Sequence, residues 1–421
     1  MKKPIETSLR GIGAGLAAAL LAGNAWAGPL NFAPYVQLGF THDTNLFRVN
    51  EDADGETRAE ESSNITRGAL GADATWSYSR QEFEFEGFVR ENRYSKFEYL
   101  DHTDYRGYGA WLYEFGSLIS GTLDFLKVKE LNNFEDLDVQ QKDFRETTNP
   151  RLETFLSISP GLRLRSEVGY LDFEHSLPAQ EVFNREESLY ALEVQFLGKP
   201  GSQLGIGAEY IDGEYPDRLP GAIVPPEYDQ IFGYVSADWA FSGKSRLSGR
   251  LGYSSRDAEG YAVAANNDER DFDGVTGRLR YDRNVSGKTR LAASVYRLIY
   301  AVDDVDAVYV ESTGLRGEAA WDYSPKLAFV AILGLSTDEY EAPTGAMAEN
   351  REDDRFSLES QIIYEPIRQL AFIASLAGEE RDSSQDDESY DYIRAGLAVR
   401  YTLDTEPSNR PLSTRIPPQQ R

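Results

Sequence analysis

The chain has 421 residues, with 70 acidic against 43 basic side chains, a net charge of −27 at pH 7 and no cysteine. That charge repels phosphate backbones and no basic stripe offsets it, so nucleic-acid binding is excluded. The missing cysteines exclude disulfide frameworks, thiolate metal sites and thiol nucleophiles together.

The first element is a targeting signal. Lys2, Lys3 and Arg10 form a basic start, Gly11 to Ala22 is an apolar stretch of twelve, and Ala25-Trp26-Ala27 has the small-x-small form of a cleavage site. Residues 1–27 are therefore predicted to be a cleaved secretory signal, since twelve residues fall short of the roughly twenty that a spanning helix needs. Its removal leaves 40 basic and 69 acidic groups. No later segment has eighteen uninterrupted apolar residues, which excludes a helical membrane protein.

From about Asn31 to Leu403 the sequence alternates between stretches of period-two hydrophobicity, 11 to 16 residues long, and two kinds of break. Eight breaks are short: Ser79–Gln81, Glu114–Ser117, Ser159–Gly161, Gly198–Ser202, Ser242–Lys244, Asn284–Lys288, Ser324–Lys326 and Glu365–Arg368. Gly, Pro, Asn and Ser recur there because they tolerate or preset turn dihedrals. Nine are longer: Thr44–Asn64, Ser95–Glu98, Asn132–Gln141, Ser176–Arg185, Pro216–Pro226, Ala258–Asn267, Asp303–Ala307, Glu341–Asn350 and Asp382–Glu388. Nine loops alternating with eight turns join eighteen strands, the topology of an antiparallel up-and-down barrel with short periplasmic turns. The predicted fold is all-β: a transmembrane β-barrel over residues 28–403 in the bacterial outer membrane, in contact with its lipid and lipopolysaccharide.

The two faces of the strands differ in chemistry. Val275, Gly277, Leu279 and Tyr281 alternate with Thr276, Arg278, Arg280 and Asp282, one set suited to lipid and the other to water. Many apolar faces end on an aromatic beside a short turn: Trp76, Tyr78, Trp239, Phe241, Tyr281, Trp321, Tyr323, Tyr364 and Tyr401. These are predicted to form an interfacial girdle. The water face carries Arg163, Arg165, Arg250, Arg278, Arg280, Arg316, Arg394 and Arg400 with Tyr35, Tyr234 and Tyr392, the candidate lumen contacts for a solute or polymer. Paired charges stabilising a polar lumen explain the same residues. Asp404 to Arg421, rich in proline and aperiodic, is expected to be a disordered periplasmic tail.

No catalytic constellation stands out. The three histidines, His42, His102 and His175, lack metal-ligand spacing, and His175 and Ser176 are neighbours on a strand whose side chains point apart. The acidic first loop, with Glu51, Asp52, Asp54, Glu56, Glu60 and Glu61, lacks the order of a calcium loop and reads as a solvated surface. No enzyme activity, metal or cofactor is expected.

At Asp43-Thr44-Asn45-Leu46-Phe47-Arg48, just after the strand Pro34 to Thr41, the chain resembles the EpsL-like outer-membrane β-barrel porins of exopolysaccharide operons that accompany exosortase systems. The resemblance implies export of a polysaccharide across the outer membrane, with periplasmic export components as partners. The alternatives are a diffusion or uptake porin for small solutes, and a non-conducting structural barrel. Oligomeric state, gating and cargo are left open by the sequence.

Overall fold

Period-two sequences long enough to cross a bilayer pair with their chain neighbours through short turns, and the last such strand must meet the first if no edge is to face lipid. The computed structural model has this arrangement. It describes residues 30–50, 61–135, 140–198, 201–219, 224–260, 271–301, 307–342 and 350–403. The expected signal and the tail beyond Leu403 lie outside the described residues, as do the loop acids Glu51, Asp52, Asp54, Glu56 and Glu60.

Eighteen strands of 12 to 17 residues run in sequence. They are β1 (Leu30–Asp43), β2 (Ser63–Tyr78), β3 (Gln81–Tyr94), β4 (His102–Phe115), β5 (Ile119–Leu131), β6 (Phe144–Ser159), β7 (Leu162–His175), β8 (Arg185–Leu197) and β9 (Gln203–Glu214). They continue with β10 (Glu227–Ser242), β11 (Ser245–Glu259), β12 (Phe272–Asn284), β13 (Thr289–Tyr300), β14 (Tyr309–Ser324), β15 (Leu327–Glu341), β16 (Arg351–Ile367), β17 (Leu370–Ser383) and β18 (Tyr390–Thr402). Each is antiparallel to the next, and β1 pairs with β18 from Tyr35↔Thr402 to Asp43↔Arg394, which closes the barrel.

Strand parity sorts the side chains. Val36, Leu38, Leu70, Phe85, Val168, Ile206, Leu251, Val275 and Leu397 lie outside and exposed, as a lipid-facing wall requires. On the same outer face the aromatics near the short turns stack across strands: Trp76 on Phe83 at 4.9 Å, Phe83 on Trp111 at 6.0 Å, Phe241 on Tyr281 at 6.0 Å and Trp321 on Phe329 at 5.4 Å. Amphipathic rings in such a row fix the barrel at headgroup level.

Besides Pro34 in β1, two strands accommodate a proline, and the sequence reading places a break at one of them, Pro366. In β6 the pairing with β7 skips Asn149 and Pro150, and the Asn149 side-chain amide donates instead to the Tyr170 carbonyl at 2.9 Å. In β16 a register shift between Tyr364 and Ile367 carries the strand past Pro366, so the turn falls at residues 368–369, at the far end of the expected break Glu365–Arg368.

The largest buried apolar cluster among the described residues sits at the end away from the short turns, between loops and strand tops. Leu46, Phe47 and Val49 after β1 meet Ile65, Tyr94, Leu100 and Phe134.

Candidate functional site

All eleven residues named from the sequence face the lumen, and most of the arginines among them are tied to carboxylates. Arg165 sits among Glu153, Glu167 and Glu193. Arg250 meets Glu209 at 3.0 Å, and Arg280 forks onto Glu318 while its Nε contacts Asp282. Arg316 shares Glu318, Arg394 binds Asp43 at 2.9 Å, and Arg400 reaches Asp73 at 3.2 Å while stacking on Tyr35 at 3.6 Å. Arg163 donates to the amide oxygens of Gln195 and Gln203, and Arg278 lies over Tyr296 at 5.4 Å with no carboxylate partner among the described residues. Tyr234 folds over Gly207 and contacts Glu193. These arginines are for the most part tied to carboxylates, with Arg163 held by amide oxygens instead, and they do not form a continuous basic track.

The organising feature lies higher, at the outer mouth. Asp43, at the top of β1, is fully buried and accepts both arms of Arg48 at 3.0 Å, the Arg394 Nε, and the Asn45 N–H at 3.2 Å. The Asn45 side chain donates to the carbonyls of Val49 at 2.8 Å and Asp391 at 3.0 Å and accepts the Val49 N–H. The ring of Tyr392 is held between two guanidiniums, Arg48 at 3.5 Å and Arg394 at 5.4 Å. Residues 44–50 are thereby turned inward rather than out to solvent. Arg48 takes a left-handed backbone, φ 54°, a conformation that costs a side-chain-bearing residue about 1–2 kcal/mol and that this knot of bonds sustains.

Phe47 continues the inward turn. Its ring meets Phe97 at 4.8 Å and Phe134 at 5.0 Å, both edge-on. Phe134 belongs to the β5–β6 connection and is also left-handed, φ 63°. The next residue, Glu135, lies 3.9 Å from Arg355 of β16, seven strand positions from β5 around the ring of eighteen and so nearly opposite it. On that far side Arg355 also binds Asp338, and Arg351 and Arg381 gather around Asp353 and Glu388. Two chain segments, 44–50 and 132–135, thus bridge the mouth.

The base of the second segment is clasped by Asp143, which accepts the His175 Nδ1 at 2.7 Å, the Asn132 amide at 3.1 Å and the N–H groups of Ser176 and Leu177. Burial alone would raise this carboxyl, but the His175 bond and charge, the Leu177 N–H and the Asn132 amide hold it below the ordinary carboxylate value. Ser176 donates to the same carboxylate rather than to the imidazole, so the three groups do not form a nucleophile–base relay. No group of three or more metal-ligating side chains that could hold an ion occurs among the described residues.

With a closed strand cylinder, an apolar outer wall and an aromatic girdle on one rim, the location is decided. This is an outer-membrane β-barrel. No family model matches the chain, and no curated protein does. Solved structures do resemble it. OccAB3 of Acinetobacter baumannii is 10% identical over 89% of this chain and 99% of its own, with a TM-score of 0.46. OccK2 (OpdF) of Pseudomonas aeruginosa in complex with glucuronate is 12% identical over 90% and 98%, at 0.48. OpdK of the same organism with vanillate is 12% identical over 89% and 98%, at 0.47. At these identities the likeness concerns the barrel alone.

None of these is a barrel of an exopolysaccharide operon. The EpsL-like assignment is corrected on that finding, and with it the export role, the polysaccharide cargo and the export partners. The physical reason is visible in the motif itself. Asp43, Asn45, Leu46, Phe47 and Arg48 are buried and bonded to one another, to β18 and to the β5–β6 connection, so the motif encodes a local knot and carries no information on cargo. Sequence reasoning missed the mouth residues Asn45, Phe47, Arg48, Phe134, Glu135 and Arg355. The one available signal was the acid–base pair five residues apart, Asp43 and Arg48, flanking an asparagine.

Proposed function

We propose that the protein is a porin, a passive path for small hydrophilic solutes across the outer membrane. A cylinder of eighteen strands encloses an aqueous lumen. The observation that supports a path for small solutes is the bridged mouth: residues 44–50 and 132–135 reach inward and contact β18 and β16, dividing an opening that would otherwise be wide. A constriction built from buried side chains passes compact molecules and obstructs a hydrated polymer. An export signal over residues 1–27 and a periplasmic tail from Asp404 belong to the same proposal.

The test is reconstitution of the purified barrel in planar bilayers and in liposomes. Stepwise conductance, with swelling rates that fall steeply as the size of the sugar increases, is the expected result. Absence of conductance would overturn the reading and leave a structural barrel.

A further inference from the structure

Charge is distributed unevenly around the lumen. In the half nearest the short turns, most inward carboxylates have a guanidinium partner: the three glutamates around Arg165, Glu209 with Arg250, Asp124 with Arg151 and Asp73 with Arg400. Glu82, Glu84 and Glu86 of β3 do not. Occupying alternate positions, they project from one face of one strand at intervals of about 7 Å. Their cross-strand neighbours are Ser77, Thr75 and Asp73 on β2 and Leu112, Ala110 and Tyr108 on β4, none of them basic. Among the described residues no ion pair neutralises these three. Glu359 of β16 is a further inward carboxylate without one among the described residues.

The opposite wall differs in kind. β12 lies nine positions from β3 around the ring, diametrically across, and presents Arg280, paired with carboxylates, and Arg278, which has no ion pair among the described residues. Measured in residues from their short turns, Arg278 and Arg280 stand at about the height of Glu84 and Glu86. Paired charges largely cancel a short distance away, whereas an unpaired row with a low-dielectric wall behind it projects its field into the water of the lumen.

We propose that Glu82, Glu84 and Glu86 set the charge preference of this channel, favouring small solutes that carry an ammonium or comparable cationic group. The inference rests on the porin reading and specifies its substrate class. A solute bearing both charges would cross with its cation toward β3 and its anion toward β12. Rows of carboxylates act in this way in cation-selective pores because they concentrate counterions at the wall.

The experiment is the reversal potential of the full-length barrel in planar bilayers across a KCl gradient at low salt, where screening is weakest. Wild type is expected to pass potassium in preference to chloride. The E82Q/E84Q/E86Q variant should lower that ratio by about threefold or more, and R278Q should raise it. The single variants, each moving the ratio part of the way down, replace the triple variant if it fails to assemble. In liposomes, wild type should pass lysine faster than glutamate, and the glutamine variants should narrow the difference. Conductance with a ratio unmoved by the glutamine substitutions would overturn the inference alone. A wild type that does not conduct would remove the porin reading, and the inference with it.

Discussion

Asp43 is the keystone of the bridged mouth, and Asp43→Ala is the substitution whose cost can be worked through. The carboxylate accepts two bonds from Arg48, one from Arg394 and one from the Asn45 N–H. The Arg48 side chain is 2% exposed, so deleting its counter-charge strands a buried cation. Breaking a buried pair in this way costs about 3–5 kcal/mol. Applied to the local equilibrium between segment 44–50 folded in and swung out, that raises the open fraction by about two to three and a half orders of magnitude. Trypsin acting on the folded barrel reads this fraction, because cleavage after Arg48 requires the open form. Single-channel recording reads it too, as larger and noisier conductance. Removing Arg48 as well, in Asp43→Ala/Arg48→Ala, should restore part of the lost order, since the fully buried charge is then gone and only the partly exposed Arg394 has lost its partner; chymotryptic cleavage after Phe47 reports on this variant. If Asp43→Ala is cut no faster than wild type and conducts the same current, the mouth is not held by this knot.

Phe47→Ala removes the ring that joins the two bridging segments, and should loosen both by about 3–5 kcal/mol, seen as increased conductance without loss of the barrel. The Asp143 carboxyl is depressed in the folded protein, so its contribution is fully present above the ordinary carboxylate value of about 3.9 and is lost as pH falls through the lower folded value. The β5–β6 segment should therefore loosen below about pH 4, and Asp143→Asn should abolish that acid dependence in conductance recorded at pH 3 and pH 7. Gly252→Ala would place a Cβ 2.0 Å from the Gly233 carbonyl oxygen and 2.7 Å from the Tyr234 Cα, both backbone atoms of β10. Forcing that pair of strands apart should cost at least about 1–3 kcal/mol and lower the yield of heat-modifiable barrel on gels.

The barrel was legible because its grammar is local. Alternation assigned both faces of β7, β12 and β18, and turn residues such as Ser242-Gly243-Lys244 fall where β10 gives way to β11. Even the shortest of the nine longer breaks, at Ser95–Glu98, is a genuine loop with a turn of 3-10 helix over Glu98–Leu100. The misplaced break sits at a proline. Pro366 reads as a turn, yet a bulge carries β16 past it, and Pro150 is absorbed because the Asn149 amide takes up the Tyr170 carbonyl. The mouth was not legible. Its contacts join Asn45 to Asp391 and Glu135 to Arg355, separations that no periodicity reports, and the left-handed Arg48 and Phe134 are residues with no local preference for that conformation. The six-residue motif was noticed, but resemblance gave it a meaning that its hydrogen bonds do not support.

The seam between β1 and β18 also bears on the order of assembly. Asp43, Asn45 and Arg48 find their partners on the last strand, at Arg394, Asp391 and Tyr392. Until β18 docks, segment 44–50 has lost these anchors, and the chain between them, some 350 residues long, must already be in place. Contacts of such separation form late, after the loop entropy between them has been spent by other pairings. The narrowing of the mouth is therefore coupled to completion of the cylinder: a barrel stalled one strand short is also a barrel with a wide entrance, and protease access to Arg48 would distinguish finished molecules from unfinished ones during biogenesis.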